Sequence, residues 1–171
     1  MSVALHVERR MFQAALADLA VGGEQIGFFL ADFAPDERTF VLREWHLVPP
    51  EGTVREGLHV ELTDETKNAV IATAWWMGSC LVEAHSHGDW APAEFSPTDL
   101  DGFDAWVPHL FWRLRGRPYA ALVTAADTID AVAWVDDPKV LEPVDAVTVD
   151  GRPLATTGRT VRSATTGQEG S

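Results

Sequence analysis

The segment His85-Ser86-His87 closes a short apolar run, and Ser96-Pro97-Thr98-Asp99 follows it after a loop of eight residues. Residues i and i+2 of an extended chain share one face, so the two imidazoles project the same way from backbone positions about 6–7 Å apart. That separation lets two ring nitrogens converge on one cation at about 2.0–2.1 Å. In the second segment Ser96 is a preferred N-cap, Pro97 suits the first helical position, and Asp99 falls at the third. Amides at a helix N-terminus favour an ionised carboxylate, which keeps Asp99 ready as a ligand at neutral pH. His85, His87 and Asp99 leave a fourth tetrahedral position for water, the pattern of a catalytic rather than a structural zinc. Zinc held this way lowers the pKa of its water to about 7 and makes hydroxide available.

An isolated HxH is more often a polar strand end, and an isolated SPTD is more often only a helix cap. Their short spacing and the strand–loop–helix context join them into one site. Two other settings of HxH fit less well. In cupins further strands follow the pair, whereas here a helix start follows. The amidohydrolase barrels need about 250 residues, and this chain has 171. Hydrolysis also needs an acid that manages the proton. By residue type Glu24, Glu44, Glu51, Glu61 and Glu83 all qualify. Glu83 precedes His85 by two on the same strand face and is placed to support that ligand from behind. His46, His59 and His109 fit no ligand spacing, and His6 lies near the terminus.

The elements that must position these groups alternate irregularly. Residues 7–20 show helical spacing of Val7, Met11 and Leu16 to Leu19, and Gly22-Gly23 stops that helix. Glu24 to Ala31 reads as a buried strand, Arg38 to Val48 as a second, and Leu58 to Leu62 as a third. Thr63 caps a helix that runs to about Met77 and stops at Gly78. Cys80 to Ala84 is a buried strand leading into His85. The helix begun at Ser96 continues through Trp106 towards Trp112 or Leu114. Tyr119 to Thr124 and Ile129 to Val135 form two antiparallel strands about a turn at Ala126-Asp127, and 140–150 adds an edge strand. Residues 156–171 hold almost no large apolar side chain and read as a disordered tail. The expected fold is one α/β or α+β domain over 1–155, a mixed sheet flanked by helices.

Glu24, His85, His87, Ser96 and Asp99 together resemble the JAMM (MPN-type, or JAB domain) zinc metalloproteases. Their signature is a distant glutamate, a His-x-His pair, and Ser-x-x-Asp after a short loop. Glu24-Gln25-Ile26-Gly27-Phe28-Phe29-Leu30 looks like the strand that opens the family's sheet. The likeness covers about residues 5–135 and resembles the compact prokaryotic forms. Two departures accompany it: Gly88 stands where most members have proline, and the loop to the serine is one residue longer than is common. The resemblance implies an MPN-type sheet with cytidine-deaminase-like layering and one Zn2+ per chain on His85, His87 and Asp99. Glu24 would take the proton of the attacking water and pass it to the departing amine. Ser96 would donate to the oxyanion, alongside its role as a cap. Trp90, in the loop between the two segments, would touch substrate, although a loop tryptophan often only packs down.

The implied activity is hydrolysis of the amide bond after the C-terminus of a ubiquitin-like protein, whose tail would lie as an added strand beside the site. E1-like and E2-like proteins of the same pathway are the implied further partners. A related alternative is release of an amino acid such as cysteine from a ubiquitin-fold sulfur carrier. A third reading is a non-catalytic MPN-type scaffold, but such members usually lack a zinc ligand. The compact chain leaves no room for the insertions that set linkage choice in eukaryotic members.

Composition bounds these readings. A net charge of −13 without any Lys/Arg cluster argues against nucleic acid. The apolar runs are too short for a bilayer, and no basic segment followed by an apolar stretch opens the chain, so neither a membrane span nor a secretory signal is expected. A single cysteine, Cys80, forms no internal disulfide and points to the cytoplasm, where it reads as a buried, inert thiol.

Overall fold

The structure, a computed structural model, describes residues 2–57 and 59–168. Its strands are β1 (Val3–Val7), β2 (Ile26–Ala34), β3 (Thr39–Leu47), β4 (Thr53–Glu56), β5 (His59–Leu62), β6 (Cys80–Ser86), β7 (Tyr119–Ala125), β8 (Thr128–Trp134), β9 (Glu142–Val149) and β10 (Arg152–Ala155). The helices are α1 (Arg9–Leu19), α2 (Asp64–Met77), α3 (Pro97–Arg113) and α4 (Arg159–Gln168).

Local chemistry accounts for most of these boundaries. The Thr63 hydroxyl accepts the Thr66 amide at the start of α2, and Gly78 ends that helix with φ 64°, in the left-handed region that suits glycine. Ser96 and Asp99 form a reciprocal capping box at the start of α3. Between β7 and β8, Ala126 and Asp127 both have positive φ, 46° and 60°, as the tightest hairpin turn requires.

The tertiary arrangement departs from the expected helix-flanked mixed sheet. Hydrogen-bonded strands run β1-β3-β2-β6-β7-β8-β9, and β1 also pairs with β9, so seven strands close into a barrel. The MPN-type layering implied by the resemblance is therefore not the architecture of this chain. The physical reason lies in two strands read differently from sequence. Residues 3–7, left unassigned or given to the first helix, bury Val3, Leu5 and Val7 and pair in parallel with both β3 and β9. β9, expected at an edge, instead meets β1, β8 and β10. Both open edges of a sheet are thereby consumed.

Alternation along the strands sorts side chains into two cores. One gathers residues from all seven barrel strands, including Leu5, Phe29, Phe40, Val82, Leu122, Ala131 and Val147, with Phe12, Ala15 and Leu19 of α1. The other lies on the opposite face of β2, β6, β7 and β8, where Phe28, Leu81, Ala121 and Val132 meet α2 and α3 through Ile71, Ala74, Phe103, Val107 and Leu110. Val82 and Ala84 point to the first core, so Glu83 and His85 face the side covered by α3.

Two further expectations change. The third strand spans 59–62; Leu58 lies outside the described residues. The stretch expected as a disordered tail carries β10's exit and α4, which contacts β8; residues 169–171 lie outside the described residues. Among the described residues, no helix is long and apolar enough to cross a membrane.

Candidate metal centre

β6 ends at Ser86, and its last residues carry His85 and, one step beyond, His87. The Nε2 atoms of His85 and His87 lie 3.1 Å apart. Asp99 Oδ2, delivered by the first turn of α3, lies 3.6 Å from His85 Nε2 and 3.2 Å from His87 Nε2. In a tetrahedron with metal–ligand bonds of about 2.0–2.1 Å, neighbouring ligand atoms are about 3.3 Å apart. The three observed separations bracket that value. His85, His87 and Asp99 form a group that could hold a metal ion.

The surroundings prepare these groups for ligation. Glu83 Oε1 faces His85 Nδ1 at 3.2 Å, and its other oxygen accepts the Tyr119 hydroxyl at 2.7 Å. Trp106 Nε1 in turn donates to the Tyr119 oxygen at 3.2 Å. A proton on Nδ1 shared with a carboxylate leaves Nε2 as the free lone pair and fixes the plane of the ring. Asp99 is oriented just as firmly. Its Oδ2 accepts both the Ser96 amide and the Ser96 hydroxyl at 2.8 Å, while the Asp99 amide donates to Ser96 Oγ at 3.1 Å.

Charge is balanced inside this cluster. Burial by itself drives the His85 pKa down, but hydrogen bonds and charge from Asp99 and Glu83 prevail and raise it to about 10. Burial likewise favours a neutral Asp99, yet the hydrogen bonds of His85 and His87, with the His85 charge and Ser96, hold its carboxyl far below the usual range. Without metal, the site therefore keeps a cation and an anion together. A divalent ion would take the place of the His85 proton.

Glu24 arrives by strand register. β2 and β6 pair antiparallel with Ile26 opposite His85. The pairing continues one step, with the Ser86 amide donating to Gln25 O at 3.1 Å and the Gln25 amide donating to Ser86 Oγ at 3.0 Å. Glu24 precedes this pairing by one residue, just outside β2. It lines a cavity of about 390 Å3 together with Glu83, His85, Asp99, Phe103 and Trp106. It also borders the neighbouring clefts in which His87 and Trp90 sit. Glu24 thus lines cavities shared with His85, His87, Ser96 and Asp99.

Trp90 is 77% exposed at the mouth of those clefts. A Cβ at Gly88 would lie 1.7 Å from the Trp90 ring, so a larger residue there requires this exposed indole to move.

Glu44 pairs with His46 at exposed positions and Glu51 is exposed, whereas Glu61, paired with the half-buried His59, lines the same cavity as Glu24. Tyr119 and Trp106 went unnoticed in the sequence. The available signal was that the chain's one tyrosine sits at the start of a strand buried on both faces, where its hydroxyl needs a partner. Phe95 was also missed; its ring meets the His85 ring edge-on at 5.2 Å. A scan against protein-family models finds no match for this chain, and a search of curated proteins finds none either.

Proposed function

We propose that this protein is a zinc-dependent peptidase or isopeptidase that hydrolyses the amide bond after the C-terminus of a ubiquitin-like protein, with the chemistry of the JAMM-type metalloproteases. The observation that carries the reading is the triangle of His85 Nε2, His87 Nε2 and Asp99 Oδ2, with edges of 3.1, 3.2 and 3.6 Å. The proposal rests on the site and not on the architecture, since the closed barrel differs from the fold the resemblance implied. One zinc per chain is the proposed cofactor, and it would supply a water of lowered pKa and a polarised scissile carbonyl.

The chain's own residues divide the remaining work. His85 and His87 present ring nitrogens, and Glu83 holds the His85 ring in the required tautomer. Glu24, at the rim between the clefts, takes a proton from the attacking water and returns it to the leaving amine. Ser96 orients the Asp99 carboxylate through its hydroxyl proton; donation to an oxyanion requires that hydroxyl to turn from Asp99 towards the substrate. The cleft beside His87 and Trp90 leaves space for an extended tail, the form in which a ubiquitin-like C-terminus would be presented. E1-like and E2-like proteins of the same pathway, in the cytoplasm, complete the proposed setting.

Metal analysis and one variant test this. The purified protein is expected to bind one zinc per chain, and Glu24→Gln is expected to keep the metal while losing cleavage of a ubiquitin-like fusion. Full turnover by Glu24→Gln, or a wild-type protein inert to added zinc, overturns the reading. Offering a carrier–cysteine adduct beside a carrier–lysine isopeptide shows which bond is consumed.

A further inference from the structure

The loop from Gly88 to Phe95 joins His87 to the Ser96-Asp99 cap without any regular structure, yet Ala93 and Phe95 within it are buried. Buried backbone groups must find partners, and here they find them outside the loop. The Ala93 amide donates to Thr128 Oγ1 at 2.7 Å, and the Ala93 carbonyl accepts the Thr157 hydroxyl at 2.7 Å. The Phe95 amide donates to Thr160 Oγ1 at 3.0 Å. That hydroxyl passes its own proton to Asp130 Oδ2 at 2.6 Å, while Asp130 also accepts the amides of Thr160 and Gly158, each at 2.9 Å. Asp130 and Thr160 are each 1% exposed. On the outer side, Glu94 accepts Arg159 Nε at 3.1 Å and the Ser163 hydroxyl. The segment 157–163 thus grips three consecutive loop residues.

We infer that this C-terminal segment is a clasp that sets the metal centre, with Thr160 and Asp130 as its positioning residues. The inference rests on the metal-site reading and extends it to a part of the chain distant in sequence. Transmission is short. The Phe95 ring lies edge-on to His85 at 5.2 Å and to Phe103 of α3 at 5.3 Å, and Ser96, the next residue, holds Asp99. A Phe95 released from Thr160 shifts one ligand through its ring and another through its backbone. Groups hydrogen-bonded directly to a ligand govern metal affinity by about 10–100-fold, and Thr160, acting through Phe95, stands one step behind them.

The test uses the full chain with Thr160→Val, which removes the hydroxyl at nearly constant shape, and Thr160→Ser, which restores it. Thr160→Val is expected to weaken Zn2+ binding by up to about tenfold, alter the visible spectrum of the Co2+-loaded protein, and speed amide exchange at Phe95 and Ser96. Thr160→Ser is expected to recover all three. If Thr160→Val does not fold, Thr157→Val, at a partly exposed position, reads the same loop through Ala93. Wild-type affinity and exchange in the Thr→Val variants, or a Thr160→Ser variant as impaired as Thr160→Val, overturn the clasp. Should the wild-type protein take up no metal, the proposed function fails, and Phe95 exchange in the same variants still decides the clasp.

Discussion

Replacing Glu83 with glutamine perturbs the centre without touching a ligand. Glu83 is 8% exposed, with one oxygen 3.2 Å from His85 Nδ1 and the other accepting the Tyr119 hydroxyl at 2.7 Å. Glutamine keeps the size and can keep an oxygen opposite Nδ1, so the change removes charge rather than packing. Carboxylates behind metal-bound histidines contribute about 10–100-fold in affinity, or roughly 1.4–2.8 kcal/mol. A second effect opposes the first. In the metal-free protein Glu83 helps raise the His85 pKa to about 10, so a proton competes with zinc throughout the neutral range. Wild-type affinity should therefore climb by about tenfold per pH unit between pH 7 and 9, because each zinc expels one proton. Glu83→Gln lowers the His85 pKa, eases that competition and flattens the climb. Its deficit is then partly masked at pH 7 and widens at pH 9. Competition against a chromophoric chelator at the two pH values reads both quantities. A variant with wild-type affinity at pH 9, or a deficit that narrows as pH rises, refutes the reasoning.

The same cluster makes stability depend on pH. His85 titrates higher in the folded than in the unfolded chain, so its stabilising contribution is full below about pH 6.5 and fades as pH rises through about 10. The metal-free protein should melt at a lower temperature at pH 8.5 than at pH 6.5, and zinc saturation should remove most of that difference; a metal-free melting temperature unchanged by pH counts against the His85 assignment. Leu5→Ala, at a fully buried position of β1, should cost about 2–5 kcal/mol of a total near 5–15 kcal/mol; a loss below about 1 kcal/mol in urea unfolding would show that β1 does not close the barrel. Burial pushes the Cys80 thiol up to about 11, so a thiol reagent at pH 8 should label the folded protein only at the rate of unfolding, and rapid labelling of native protein contradicts its burial.

Local chemistry was legible along the chain. The Ser96-Pro97-Thr98-Asp99 cap, the shared face of His85 and His87, the Gly78 stop and the Ala126-Asp127 turn each depend on residues within a few positions of one another. Their conformational preferences act before any tertiary contact exists. The candidate ligands could be named for that reason. The second region of the site was less legible: the sequence left five glutamates open, and Glu24 was singled out only by resemblance.

What the tertiary structure decided is everything that joins distant segments. Antiparallel register between β2 and β6 set Ile26 opposite His85 and so brought Glu24 to cavities that the candidate ligands also line, because the ladder counts residues from a pairing that composition does not specify. Closure of the barrel depends on β1 meeting β9, a contact reinforced where the Arg9 amide donates to Asp150, 141 residues away. Five residues of alternating burial beside a helix start carry too little pattern to announce such a partner. Residues 156–168 were misread for the converse reason. A segment poor in large apolar side chains looks unable to fold alone, yet Thr157 and Thr160 find partners in Asp130 of β8 and in the buried backbone of Ala93 and Phe95 in the loop before α3. Hydrogen bonds to the barrel and to that loop, and not a hydrophobic core of its own, hold it in place.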